Sequence, residues 1–182
     1  MSIMEDLHRL AVNGQSADRS LRVVLSAATG LRVEANPYRI RGHTEETLSR
    51  QVSTAVQRAL EAMDRQSDRL LSEWDPPLTD PEERAGIEVR LKRFTAAVRE
   101  IEVSAVSQRG LATATLRGTT RATLTLKSRC LDNFGFETVM ADINGAFTRM
   151  LAAHGKRVRD ARQTTLVETR PVTIPAGPKG RT

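Results

Sequence analysis

Two stretches of this chain carry one pattern. LRVVLSAATGLRVEANP runs from Leu21 to Pro37, and ATATLRGTTRATLTLKS from Ala112 to Ser128. In each, apolar residues alternate with wetter ones, a short turn follows, and the alternation resumes. That is the pattern of a β-hairpin with one buried face. An offset of 91 superposes the two: Leu21, Val23 and Leu25 fall on Ala112, Ala114 and Leu116, and Leu31, Val33 and Ala35 on Ala122, Leu124 and Leu126. The same offset carries into a helical stripe, where Leu48, Val52, Val56 and Leu60 meet Val139, Ile143, Phe147 and Leu151. Glu46 and Thr47 meet Glu137 and Thr138. A slip of one residue would turn every strand side chain to the wrong face. One register that serves both the strand period and the helix period therefore points to duplication.

Each copy is predicted to run helix, β-meander, long helix. In the first, Ile3, Leu7 and Leu10 share one face of a short helix, and Asn13-Gly14 carries turn chemistry. Asn36-Pro37 closes the hairpin, because proline cannot continue a central ladder. Thr44 is the expected N-cap of a helix reaching about Leu71, with Glu45 and Glu46 in its first turn. Ser72–Glu83 reads SEWDPPLTDPEE, the clearest boundary in the chain, with Trp74 read as an anchor of the crossing. Asp80 as cap, Pro81 as first helical residue and Glu83 mark the next helix, whose stripe is Ile87, Leu91, Phe94, Val98 and Ile101. A strand near Glu102–Ser107, the second hairpin, and a helix from about Phe136 complete the second copy, with Gly155 as a weak point in that helix.

The expected fold class is α+β: two tandem helix–β-meander–long helix units forming an intramolecular pseudo-dimer. The predicted divisions are 1–71 for the first unit, 72–80 for a linker, 81–163 for the second unit and 164–182 for a basic, extended tail. A three-stranded sheet under one helix leaves an open edge and apolar surface, and a second copy would cover both.

The charge is unevenly spread. The net charge is +6, and residues 145–182 hold eight basic and two acidic side chains, so all of the excess lies there. The basic residues are Arg149, Lys156, Arg157, Arg159, Arg162, Arg170, Lys179 and Arg181. Cations at a helix C-terminus suit the helix dipole, which accounts for one or two of them. The continued excess points to a polyanion, and the low aromatic content of 3% argues against stacking on single-stranded bases.

Other chemistry finds little support. No stretch approaches the about 20 apolar residues of a membrane helix, and no membrane partner is expected. The N-terminal MSIMEDLHRL lacks the pattern of a secretory signal. His8, His43 and His154 are far apart in sequence and lack metal-ligand spacing; His43 is read as a loop residue and His154 as bordering the core. The lone Cys130 is read as an inert thiol. There is no phosphate-binding glycine motif, and Asp132 and Glu137 flank a helix start, where acids belong. No enzyme activity, metal or cofactor is expected.

The first unit resembles the YbaB/EbfC family. The alternating strand pair, Asn36-Pro37, the acidic turn Thr44-Glu45-Glu46 and the stripe Leu48/Val52/Val56 carry the likeness. The second unit has the same outline, with Lys127-Ser128 in place of the proline element. The resemblance implies a nucleoid-associated protein that binds double-stranded DNA with low sequence specificity, located in the cytoplasm at the nucleoid. The family's usual form is a single-unit homodimer, so a further homodimer of the tandem chain is a possible partner state. The alternative reading is a non-catalytic protein-interaction or chaperone-like module, with a protein partner docked on the duplicated fold.

Overall fold

The computed structural model of the chain describes residues 3–73 and 81–167. Among them are five helices and two three-stranded antiparallel sheets, a mixed α+β fold. The order is α1 (Ile3–Arg9), β1 (Ala11–Gln15), β2 (Leu21–Ser26), β3 (Gly30–Ala35), α2 (Glu45–Glu73), α3 (Pro81–Arg99), β4 (Glu102–Val106), β5 (Ala112–Arg117), β6 (Arg121–Leu126), α4 (Cys130–Phe134) and α5 (Phe136–Val167). The sheets run β1-β2-β3 and β4-β5-β6.

Both hairpins form in the register that the alternation predicts. Leu25 faces Leu31 across the first, and Leu116 faces Ala122 across the second, each 91 residues on. The inward residues Leu21, Val23, Leu25, Leu31 and Val33 are buried, as are Ala112, Ala114, Leu116, Ala122, Leu124 and Leu126. The α2 stripe of Leu48, Val52, Val56 and Leu60 is buried against them. The α5 stripe of Val139, Ile143 and Phe147 is fully buried and Leu151 partly so. Truncating a side chain buried like Phe147 costs about 3–5 kcal/mol.

One core joins the two sheets. Helix α2 lies over β1 and β2 and also over β6; helix α5 lies over β4 and β5 and also over β3. Hydrogen bonds accompany each crossing. Val33 N donates to Asn144 Oδ1 at 2.7 Å, and Asn144 Nδ2 returns a bond to Val33 O at 3.1 Å. Leu124 N donates to Ser53 Oγ at 2.9 Å. Strands β3 and β6 each form one edge of their sheets, so these helices supply partners that a further strand would otherwise give. Ser53 and Asn144, like Val33 and Leu124, are 91 apart.

The helix starts are locally encoded. Thr44 Oγ1 accepts from Thr47 N at 3.3 Å, and Thr44 N donates to Thr47 Oγ1 at 2.9 Å, a capping box with threonine in the usual Glu position. Pro81 begins α3.

Several expectations need correction. Asn13-Gly14 lies inside β1 and makes no turn. Gly14 is there because α2 passes directly over it: a Cβ would collide with the Ala55 carbonyl and stand 2.8 Å from Ala59 N. Asn13 faces outward and accepts from Arg22 Nη2 at 2.9 Å. The α3 stripe is only partly covered. Val98 is buried, but Ile87 is 36% and Leu91 58% exposed. Helix α3 packs chiefly on α5, and one helix against one other leaves much of its circumference wet. The short helix α4 was not anticipated; its Leu131 N donates to Glu45 Oε1 at 3.1 Å, tying it to the start of α2. Helix α2 extends two residues beyond Leu71, to Glu73. Helix α5 continues through Gly155 to Val167, so residues 164–167, placed at the start of the tail, are helical. Thr164 and Thr165 bond back to the Asp160 and Ala161 carbonyls within that last turn. Trp74, the segment 74–80 and the tail from 168 to 182 lie outside the described residues.

Gly14→Ala is expected to lower stability by about 1–3 kcal/mol, the usual range for overpacking, although alanine is ordinarily the better strand residue. Urea unfolding measures it; an unchanged midpoint would contradict the close strand–helix approach.

Candidate nucleic-acid interface

The long α5 helix has two halves with different tasks. Its first half seals the core. Along its second half, His154, Val158, Ala161 and Thr165 are half-buried, at helical spacing. The remaining surface is left to polar residues, and there the cations stand.

Arg149, Lys156, Arg157, Arg159 and Arg162 are all exposed. At about 3.6 residues per turn, Arg149 and Lys156 share nearly one azimuth, Arg159 follows beside them, and Arg157 and Arg162 flank this ridge. The five span about 20 Å of helix at about 1.5 Å per residue. None of Lys156, Arg157, Arg159 and Arg162 forms an ion pair among the described residues. The acid in their midst is Asp160, also exposed. Arg170, Lys179 and Arg181 lie outside the described residues.

Arg149 differs from the other four. Its Nη1 donates to Val106 O, at the end of β4, at 3.1 Å. Arg58 in α2 does the same to Gln15 O, at the end of β1, at 2.8 Å. Donor and acceptor are both offset by 91. Arg149 therefore pins a strand end and keeps its other guanidinium donors for solvent or a ligand.

A second polar motif repeats at the same offset. Ser16 Oγ accepts from Leu21 N at 2.9 Å, and Ser107 Oγ accepts from Ala112 N at 3.0 Å. Each serine then donates to a carboxylate at 2.7 Å, from Ser16 to Asp18 and from Ser107 to Asp142. Burial pushes the Asp18 carboxyl up, but hydrogen bonds from Ser20 and Ser16 and the neighbouring His43 outweigh it and bring it down to about 2. Asp142 is only 3% exposed. Burial raises its pKa, and bonds from Ser107, Arg109 and the Leu111 amide reverse this to a net lowering. These acids are structural: they satisfy the turn between the first two strands of each sheet.

The other titratable groups place as follows. His43 lies in the loop before α2 and spans Asp18 Oδ2 at 3.1 Å and Thr47 Oγ1 at 3.3 Å. His154 is half-buried, and its Nε2 has no hydrogen-bond partner. Burial pushes its pKa down, and the nearby Gly118 backbone offsets this in part. Cys130 is buried, and burial together with the Glu45 charge pushes its thiol up, away from the reactive thiolate. No cluster of His, Cys, Asp and Glu among the described residues has the arrangement to hold a metal ion. No helix among them is long and apolar enough to cross a membrane.

The Arg58/Arg149 and Ser16/Ser107 pairs escape a reading based on apolar periodicity. Identity at the 91-residue offset is the signal that finds them. Neither a protein-family model nor a curated protein matches the chain.

A carboxyl whose pKa is lower in the folded state stabilises the fold fully above its unfolded value. That stabilisation drains away as pH falls through the folded value. For Asp18 the window runs from 3.8 to about 2. Asp142 acts with the same sign. Asp142→Asn is expected to cost about 1.5–3 kcal/mol at neutral pH, the range for hydrogen bonds to a charged group. It should also flatten the loss of stability below pH 4. Denaturant unfolding across a pH series measures both, and an unaltered acid limb would contradict the assignment.

Proposed function

We propose that the chain binds double-stranded DNA through backbone phosphates, with low sequence specificity, as a tandem relative of the YbaB/EbfC outline acting at the nucleoid. The observation that carries this reading is the exposed row of Lys156, Arg157, Arg159 and Arg162 on α5, free of intramolecular ion pairs among the described residues. Four cations close together with only Asp160 among them are unfavourable for an isolated helix, and a polyanion relieves it. Arginine suits the role because its planar fork grips phosphate oxygens in pairs. Such contacts position a protein on a duplex without reading its sequence.

In this reading the two units make an intramolecular pseudo-dimer. The supporting observations are the contacts repeated at one offset: Ser53 to Leu124 beside Asn144 to Val33, and Arg58 to Gln15 beside Arg149 to Val106. A second reading, a docking module for a protein partner, is favoured by one feature, the exposed Ile87, Val89 and Leu91 on α3.

A salt series separates the two. If about six phosphates are neutralised, log K falls against log salt with a slope near about −5. Replacing Lys156, Arg157, Arg159 and Arg162 by Gln should reduce that slope by about 3.6 and leave thermal unfolding intact. Fluorescence titration with a labelled duplex reads it. A flat salt response in the unaltered protein would overturn the DNA reading.

A further inference from the structure

The two hairpin tips share one anchoring bond and differ in the residues that close them. In the first, Ala27 N donates to Leu10 O at 3.2 Å; in the second, Gly118 N donates to Ile101 O at 2.8 Å. Both partners lie 91 apart, so each tip is anchored by the same bond. The residues closing the strands differ. Ser26 pairs with Gly30 in the first hairpin, whereas Arg117 pairs with Arg121 in the second. Two like charges directly across a ladder oppose pairing. The first hairpin folds without them, so the arginines answer no need of the turn.

They line a concave site. A cavity of about 440 Å³ lies elsewhere, between Ile40 and Phe136, and is largely apolar. The tip cavity, of about 420 Å³, is bordered by Arg99, Arg117, Thr119, Thr120 and Arg121, with Asp64 and Glu100 at its wall. Three arginines stand against the two carboxylates of Asp64 and Glu100, and Asp64 feels the Arg99 charge, so the site keeps a positive excess on the side of Arg117 and Arg121. Glu102 stands opposite Arg117 in β4, yet neither Arg117 nor Arg121 makes an ion pair among the described residues. Both are exposed.

We propose that the β5–β6 tip is a phosphate-binding site, gripped by Arg117 and Arg121 with the hydroxyls of Thr119 and Thr120 as further donors. Two guanidinium forks and two hydroxyls offer more donors than a carboxylate has oxygens, and they match a phosphate group. Helix α5 lies against β5, the strand that leads into this tip. The occupant is a phosphodiester of the duplex, an assignment that rests on the DNA reading; the phosphate chemistry of the site does not.

The test uses the isotopically labelled full chain and follows the amides of Gly118–Arg121 by NMR. Inorganic phosphate is titrated at constant ionic strength, with acetate as the control. Saturable shifts with phosphate and none with acetate are expected. They should vanish in R117Q/R121Q and survive, weakened, in R117K/R121K. Equal response to acetate, or no saturation, overturns the site. In parallel, the duplex salt slope of R117Q/R121Q should be smaller by about 1.8 than that of the unaltered chain. A saturable phosphate response with an unchanged duplex slope overturns the phosphodiester as occupant and supports free phosphate. Absence of duplex binding by the unaltered protein defeats the DNA reading, while the phosphate arm still decides the tip. R117Q/R121Q is expected to unfold at or above the original temperature, since it removes a like-charge pair; if it fails to fold, the lysine variant and the unaltered chain decide.

Discussion

Everything in this fold depends on how two sheet edges are closed. Each sheet has three strands, too few to bury an apolar face and shield its own border. The chain solves both problems with the long helices. Helix α2 covers its own sheet and reaches β6; helix α5 covers its own sheet and reaches β3. The apolar stripes provide the driving force, and Asn144 and Ser53 provide the direction, because each meets a backbone group of an outer strand. A backbone group left unpaired out of water costs about 1–3 kcal/mol, so these side chains help specify where the helices cross. The result is one core shared by both halves.

This arrangement explains what else the chain is free to do. With the first half of α5 committed to the core, its second half carries cations on its exposed side. The body formed by the remaining residues is balanced in charge, since the excess lies after residue 144. The 91-residue offset also lets contacts of the two halves be compared position by position. Contacts found in both halves, such as the Ser16/Ser107 turns and the Arg58/Arg149 strand-end bonds, anchor turns and strand ends. The arginines of the β5–β6 tip have no counterpart in the first hairpin, which pairs Ser26 with Gly30 at that position.

Much of the fold was legible in the sequence because burial imposes period. The hairpins, the two long helices and their shared offset follow from which positions are apolar. The rest was hidden for identifiable reasons. Gly14 looks like turn punctuation beside Asn13, and only the passage of α2 over β1 shows that the missing side chain makes room. Asn144 and Ser53 are polar residues on amphipathic helices, indistinguishable in one dimension from a solvated face, and their value depends on a strand about 70 to 110 residues away in sequence. The stripe of α3 has regular apolar spacing, but spacing does not say how much of it a neighbour covers, and Leu91 is left exposed. Of the candidate site, the cations of α5 were legible from charge counting alone; the tip arginines were not, because only the strand register sets Arg117 opposite Arg121.

The cross-closure of the two halves is tested most directly by amide hydrogen exchange at Val33 and Leu124 in the intact protein. If Asn144 and Ser53 close the outer strands, both amides exchange only on global unfolding, as slowly as the central-strand amides of Val23 and Ala114. Fast exchange of Val33 and Leu124, at the rate of an open sheet edge, would contradict the account.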